Sequence, residues 1–244
     1  RVNTLYTFCS LIIKNLRQLA DKHKEERKMI PVLIISMVSV LACSPVSSDV
    51  LYPDTIFYDY VISVNESPDS VFSGDQISLL AKINRLDSRF FRPGVQLKVP
   101  RKFDDFDWMP LPKERSNLDG LAKVVVVDLN LQFLGAYEYG HLVFWSPISS
   151  GNPKIRNGKE TPNGSFKILF KDANHRSYGF GVSMPYAMNF HGGFYIHVGD
   201  LPGYPASHGC VRMLYVEAKK LYQWAGIGTR VIIENKYTRE YLKE

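Results

Sequence analysis

Over most of the second half of the chain, apolar residues alternate with polar ones or run in short blocks, a texture of strands rather than helices. Val124–Leu129, Leu131–Tyr139 and Leu142–Ile148 are three such blocks, set apart by the turn residues Asn130 and Gly140. "TPNGSFKILF" predicts a turn and a strand, "GGFYIHV" a short strand ending at His197, and "GTRVIIE" a closing strand. Helical spacing is clear only over residues 214–225, where Leu214, Ala218, Leu221 and Ala225 share a face, with Val216 and Trp224 close by. Glu217, Lys219 and Lys220 suit its wet side. The expected architecture is mainly β, a sandwich or barrel with one late helix.

Residues 58–100 have another rhythm. Tyr60–Val64 alternates as a strand, Asp75 can cap a helix carrying Ile77, Leu79, Leu80 and Ile83, and Arg92-Pro93-Gly94 turns into the alternating Val95, Leu97 and Val99. That order predicts a small α+β module. A linker follows over 101–120, and its Phe103, Phe106, Trp108 and Met109 are apolar enough to predict packing on a neighbouring domain.

Near the start, a basic cluster precedes an apolar run from Ile30 to Ala42, too short to span a bilayer and suited to a signal peptide. Residues 1–28 fit an export signal poorly, and Met29 offers a start just before the run. The run ends in Val40-Leu41-Ala42-Cys43, which resembles a bacterial lipoprotein cleavage site with Cys43 as the lipidated residue; serines follow, as a tether needs. The expected divisions are 1–42 signal or unprocessed segment, 43–57 tether, 58–100 module, 101–120 linker, 121–236 catalytic domain and 237–244 tail.

Charge changes the picture once. The net charge is +6, but residues 1–42 hold seven Lys/Arg against three Asp/Glu, so the remainder is nearly neutral. A nucleic-acid partner loses its electrostatic footing. The chain has three cysteines. With Cys9 removed and Cys43 lipidated, Cys210 stands alone in an exported body, without a disulfide partner.

"FYIHVGDLPGYPASHGCVRM" therefore carries the candidate chemistry. A thiol attacks carbonyls as thiolate and needs a base or a positive neighbour. His197 ends a predicted strand, and the Gly/Pro-rich loop after it can bring Cys210 close enough for an imidazolium–thiolate pair. Gly209 permits backbone angles that aim its N–H and that of Cys210 at an oxyanion. Arg212 can hold a substrate carboxylate or make a surface salt bridge. A zinc site would draw on His191, His197, His208 and Cys210, which have no CxxC or HExxH spacing, and no metal or other cofactor is expected. An inert, buried Cys210 is the remaining alternative.

"SHGCVRM" with the upstream "YIH" resembles the signature of the YkuD-type L,D-transpeptidases. "VVVVDLNLQFLGAYEYG", "PISSG", "TPNGSFKI" and "MPYAMNFHGGFYIH" resemble further family segments in the same order, over roughly Leu121 to Glu234. The resemblance implies Cys210 as nucleophile, His197 as base, and the Val198 carbonyl as its orienting partner. It implies oxyanion N–H groups from Gly209 and Cys210, a site shaped by His208 and Ser207, and substrate contacts from Arg212, Ser207, Tyr186 and Tyr204. Nine residues separate His197 from Ser207, a shorter loop than is usual in the family. Residues 58–100 resemble a LysM domain, chiefly in "INRLDSRFFRPGVQLKVP", which implies binding of N-acetylglucosamine-containing glycan.

The activity implied is acyl transfer on peptidoglycan stem peptides through a cysteine thioester, releasing terminal D-Ala and forming 3→3 cross-links or attaching a protein. An L,D-carboxypeptidase, or another cysteine-dependent wall peptidase or amidase, is the alternative. The implied partners are stem peptides, glycan strands and, through the lipid, the periplasmic face of a bacterial membrane. A monomer is expected.

Overall fold

The computed structural model describes residues 51–104 and 107–235; Cys43, the signal and tail expectations, and Phe106 lie outside them. Two sheets organise these residues. The smaller pairs β1 (Phe57–Val61) with β2 (Gln96–Pro100) in antiparallel register, Phe57 against Pro100 and Val61 against Gln96. Between them lie α1 (Pro68–Val71) and α2 (Gly74–Asn84). The α2 cap is Ser73 rather than Asp75. Its side chain accepts from the Gln76 N–H while Gln76 accepts from the Ser73 N–H, a reciprocal pair that Asp75 cannot make. β1 begins three residues earlier than the alternation suggests, because Phe57 is the residue buried against the core.

The larger sheet has nine strands: β3 (Val124–Asp128), β4 (Phe133–Glu138), β5 (His141–Ser149), β6 (Gly164–Lys167), β7 (Phe170–Asp172), β8 (Ala187–His191), β9 (Phe194–Val198), β10 (Val211–Met213) and β11 (Arg230–Glu234). α3 (Tyr215–Trp224) separates the last two. The spatial order is β6-β11-β3-β4-β5-β10-β9-β8-β7. Two pairs are parallel, β11 with β3 and β10 with β9. The sheet curls until Phe166 on β6 meets Phe190 on β8, ring centroids 5.5 Å apart. α3 lays Ala218 and Leu221 into the core inside that curl, with Val125, Val127, Leu134, Ile196, Val211 and Ile233.

The mainly β architecture with one late helix is the one expected. β7, β8 and β10 were not foreseen as strands, because each is short and takes its order from neighbours rather than from its own alternation.

A second core joins the small module to the large sheet. Phe57 and Ile83 pack with Leu111, Leu131 and Phe133, and Trp108 of the expected linker stacks between Tyr52 and the Phe133–Trp145 pair. Leu51 and Tyr52, inside the stretch expected as a tether, are buried there. Glu217, placed on the wet side of α3 by helical spacing, is only 9% exposed and pairs with Lys82 of α2 at 3.3 Å. The docked module makes the difference; on an isolated helix that position would be wet. Val216, grouped with the apolar face by the same spacing, points to solvent instead.

Candidate active site

Cys210 and His197 reach one cavity because β9 and β10 run parallel in fixed register. Val211 lies opposite Ile196 and Arg212 opposite His197. Side chains alternate across a sheet, so the fully buried Val211 and Ile196 take the core face. Tyr195, His197, Cys210 and Arg212 then share the other face, where all four line a cavity of about 760 Å³. His208, Ser207, Gly193, Gly199, Asp200 and His175 line it too.

His197 is 6% exposed, and its Nδ1 sits 2.6 Å from the Val198 carbonyl, so Nδ1 carries the proton and Nε2 is left as the basic nitrogen. Burial pushes its pKa down to about 4, with the Val198 bond opposing and Arg212 and His175 adding to the fall. Burial also raises the Cys210 thiol, against a backbone N–H from Tyr195 and the charge of Arg212, which favour the thiolate. Both shifts favour neutral partners. A low-dielectric site disfavours each charge, so burial works against the imidazolium–thiolate pair and the Tyr195 N–H and Arg212 work for the thiolate. The thiol donates weakly to the Gly193 carbonyl at 3.8 Å, and no hydrogen bond joins it to His197.

The loop that carries Cys210 is held from beneath. Gly209 has φ +134°, and a side chain there would put Cβ 2.7 Å from the Phe194 ring, so both backbone and space demand glycine. Ser207, 1% exposed, accepts from the Gly209 N–H at 3.0 Å and donates to the Cys210 carbonyl. The Gly209 amide, expected to face an oxyanion, is thus turned to Ser207 instead. Thr161 of the "TPNG" turn donates to the Gly209 carbonyl at 2.7 Å and accepts from the Gly151 N–H at 2.9 Å. "PISSG" serves the same loop: Ser207 N–H bonds the Ser150 carbonyl, and Ser149 Oγ bridges the Tyr204 carbonyl and the Ala206 N–H.

Arg212 makes no hydrogen bond or ion pair among the described residues, and its stem runs so close over Gly199 that a Cβ there would fall 2.8 Å from its Cγ and Cδ. His208 lies against the Phe180 ring at 4.5 Å. Two expected substrate contacts stand elsewhere. Tyr186 packs on Tyr215 and Tyr222, because its left-handed backbone (φ +54°) turns the ring toward α3. Tyr204 is 59% exposed and outside the cavity lining, since its loop is drawn outward onto the small module.

That docking is specific. The Asp87 N–H donates to the Leu201 carbonyl at 2.8 Å, Leu86 bridges Pro202, and Arg89 pairs with both Asp87 and the cavity-lining Asp200. Thr161, Gly151, Gly199 and His175 went unread as site residues. Thr161 lay inside a predicted turn and Gly151 inside "PISSG", visible in the sequence only as a segment of the family resemblance. Among the described residues no group of three or more His, Cys, Asp or Glu could hold a metal ion.

Residues 122–233 match the family model described as the YkuD L,D-transpeptidase catalytic domain. Comparison with curated proteins gave no match. Among solved structures, the chain resembles an L,D-transpeptidase of Xylanimonas cellulosilytica at 26% identity and a TM-score of 0.50, over 72% of this chain and 97% of that one. It also resembles one from Stackebrandtia nassauensis at 25% identity and a TM-score of 0.46, over 71% and 74% of the two chains. A third, from Mycobacterium smegmatis, has 22% identity and a TM-score of 0.40, over 46% and 58%. The Xylanimonas structure agrees with the curled sheet and its late helix, so the described residues have the L,D-transpeptidase fold, and residues 122–233 match the YkuD catalytic-domain model.

Proposed function

We propose that this chain is an L,D-transpeptidase that forms a thioester with peptidoglycan stem peptides on Cys210. The observation that carries the reading is the shared face of β9 and β10, which presents a thiol, a neutral imidazole with Nε2 unprotonated, and an unpaired guanidinium to one cavity.

Nε2 of His197 takes the thiol proton as Sγ attacks the carbonyl between the L-centre of the diamino acid and the terminal D-alanine. Holding both groups neutral costs no charge until the attack, and the Tyr195 N–H and Arg212 then stabilise the sulfur anion. The Cys210 N–H serves as an oxyanion donor. As the tetrahedral intermediate collapses, the C–N bond breaks, and His197 returns the proton to the departing amine of D-alanine. Arg212 receives a substrate carboxylate, which a half-buried guanidinium that lines the cavity without an ion-pair partner among the described residues favours. A second stem amine resolves the thioester into a 3→3 cross-link, an amine on another protein resolves it into an anchor, and water resolves it into a shortened stem. The 58–100 module holds glycan and the lipid on Cys43 holds the membrane, at the periplasmic face.

Purified protein exposed to a carbapenem is expected to gain the mass of one adduct, and Cys210→Ala none. No adduct on the wild type, or an equal adduct on the variant, overturns the assignment.

A further inference from the structure

The cavity holds a second imidazole for which the acylation step has no use. His175 follows β7 in a tight turn. Its Nδ1 lies 3.3 Å from Asp172 Oδ2, while Asp172 Oδ1 accepts the Asn174 N–H at 2.9 Å, so the carboxylate is fixed at both oxygens and fixes the ring. The ring stacks on Tyr195 at 4.7 Å, tilted 25°, with the edge of Phe170 beside it. Tyr195 is one alternation step before His197 on the cavity face, and its backbone N–H is the one that meets the Cys210 sulfur. With Nδ1 turned to Asp172, Nε2 is the nitrogen left for the cavity that His175 lines, and it makes no hydrogen bond among the described residues. A histidine kept in one tautomer by a buttressed carboxylate, stacked on Tyr195 and lining the same cavity as Cys210, is arranged as a base.

We infer that His175, oriented by Asp172, takes the first proton from the incoming acceptor amine. The inference rests on the thioester reading above. Proton counting supplies the need. Acylation moves one proton, from the thiol through His197 to the departing amine. Transfer to an alkylamine moves two, because the acceptor is an ammonium at neutral pH. One proton must leave before the nitrogen has a lone pair, and a second leaves as C–N forms and C–S breaks. His197 takes the second and returns it to the Cys210 thiolate. His175 takes the first and passes it to solvent through the open cavity. The sum is ammonium plus thioester giving amide, thiol and one proton.

The test separates the two steps. A stem tetrapeptide is used as donor and acceptor, and the first-turnover burst of D-alanine reads acylation while cross-linked dimer reads transfer. His175→Gln is expected to lose about 10²-fold in dimer formation, as removal of a general base does, far more than any change in the burst rate, and to accumulate acyl-enzyme by intact mass. Methoxyamine, already unprotonated at neutral pH, is expected to resolve that thioester at the wild-type rate. Equal loss with methoxyamine and the stem amine, equal loss of burst and transfer, or no loss of transfer overturns the inference. If His175→Gln does not fold, the same readouts on Asp172→Asn decide, with a smaller loss confined to the stem amine expected. A wild type without a burst refutes the thioester reading itself, an outcome distinct from any of these.

Discussion

Burial moves the two groups of the candidate proton exchange in opposite directions, and the imidazole leaves a trace in stability. The folded state holds His197 near pKa 4, below the ordinary value of 6.5, so between those values the unfolded chain binds more protons than the folded one. Stability from this group is therefore complete above pH 6.5 and is lost as pH falls toward 4, on the order of 3 kcal/mol in all. Asp128 works against it. Its carboxyl is raised to about 6 by burial, so its folded form keeps a proton longer and stability falls as pH rises from 3.8 to 6. The wild-type profile is thus partly self-cancelling. The difference between wild type and His197→Gln in urea melts isolates the imidazole: the variant is expected to lose less stability than wild type on going from pH 6.5 to 4. Parallel profiles would place His197 at an ordinary pKa. Thr161 makes a second residue-scale test. Thr161→Val removes the donor to the Gly209 carbonyl and the acceptor of the Gly151 N–H, in a site 3% exposed. About 1–3 kcal/mol is expected from the unsatisfied groups, together with slower carbapenem acylation of Cys210.

At the scale of elements, the unit that makes the site is β9, the loop 199–210, and β10, with the small module pressed on the loop. Leu201 near its start is fully buried, and its carbonyl accepts from the module at Asp87. Leu201→Ala is expected to cost 2–5 kcal/mol in thermal or urea melts and to slow acylation. Leu118→Ala, an equal truncation in the core of Leu118, Val124, Val126 and Tyr137, is expected to cost similar stability and leave acylation intact. If both variants acylate alike, the loop does not depend on that brace. The same unit shows what a sequence discloses. Strands written as short apolar runs, such as Val124–Asp128 and Phe194–Val198, were legible, as was the Ser-His-Gly-Cys run, because residue type and flanking turns alone define them. Contacts between distant segments were not. Glu217 reads as wet until Lys82 is docked on it, and Tyr204 reads as a substrate contact until its loop is pulled outward.

The described residues from 51 to 235 share cores too extensively for the module to behave as a bead on a string. Ile83 of α2 is fully buried with Leu131 and Phe133 of the large sheet, and Leu214, just before α3, packs into the module's own core. Arg85 donates to the Leu131 carbonyl at 2.8 Å and lies over the Phe133 ring, and Lys82 lies over Trp145. Domains joined by a mobile linker melt separately, whereas segments that share one apolar core melt together. A single calorimetric transition is expected, with the calorimetric enthalpy equal to the van't Hoff value. Ile83→Ala is expected to lower it by 2–5 kcal/mol without splitting it, and near-UV signals from Trp145 in the sheet and Trp108 beside the module should move together. A variant beginning at Arg101 would bare Leu131, Phe133, Trp145 and Leu214 as one face, and is expected to bind ANS and to aggregate at temperatures the intact chain withstands. Two transitions in the intact chain, with only the lower one moved by Ile83→Ala, would mean that the module folds on its own and leaves the Cys210 loop to stand unaided.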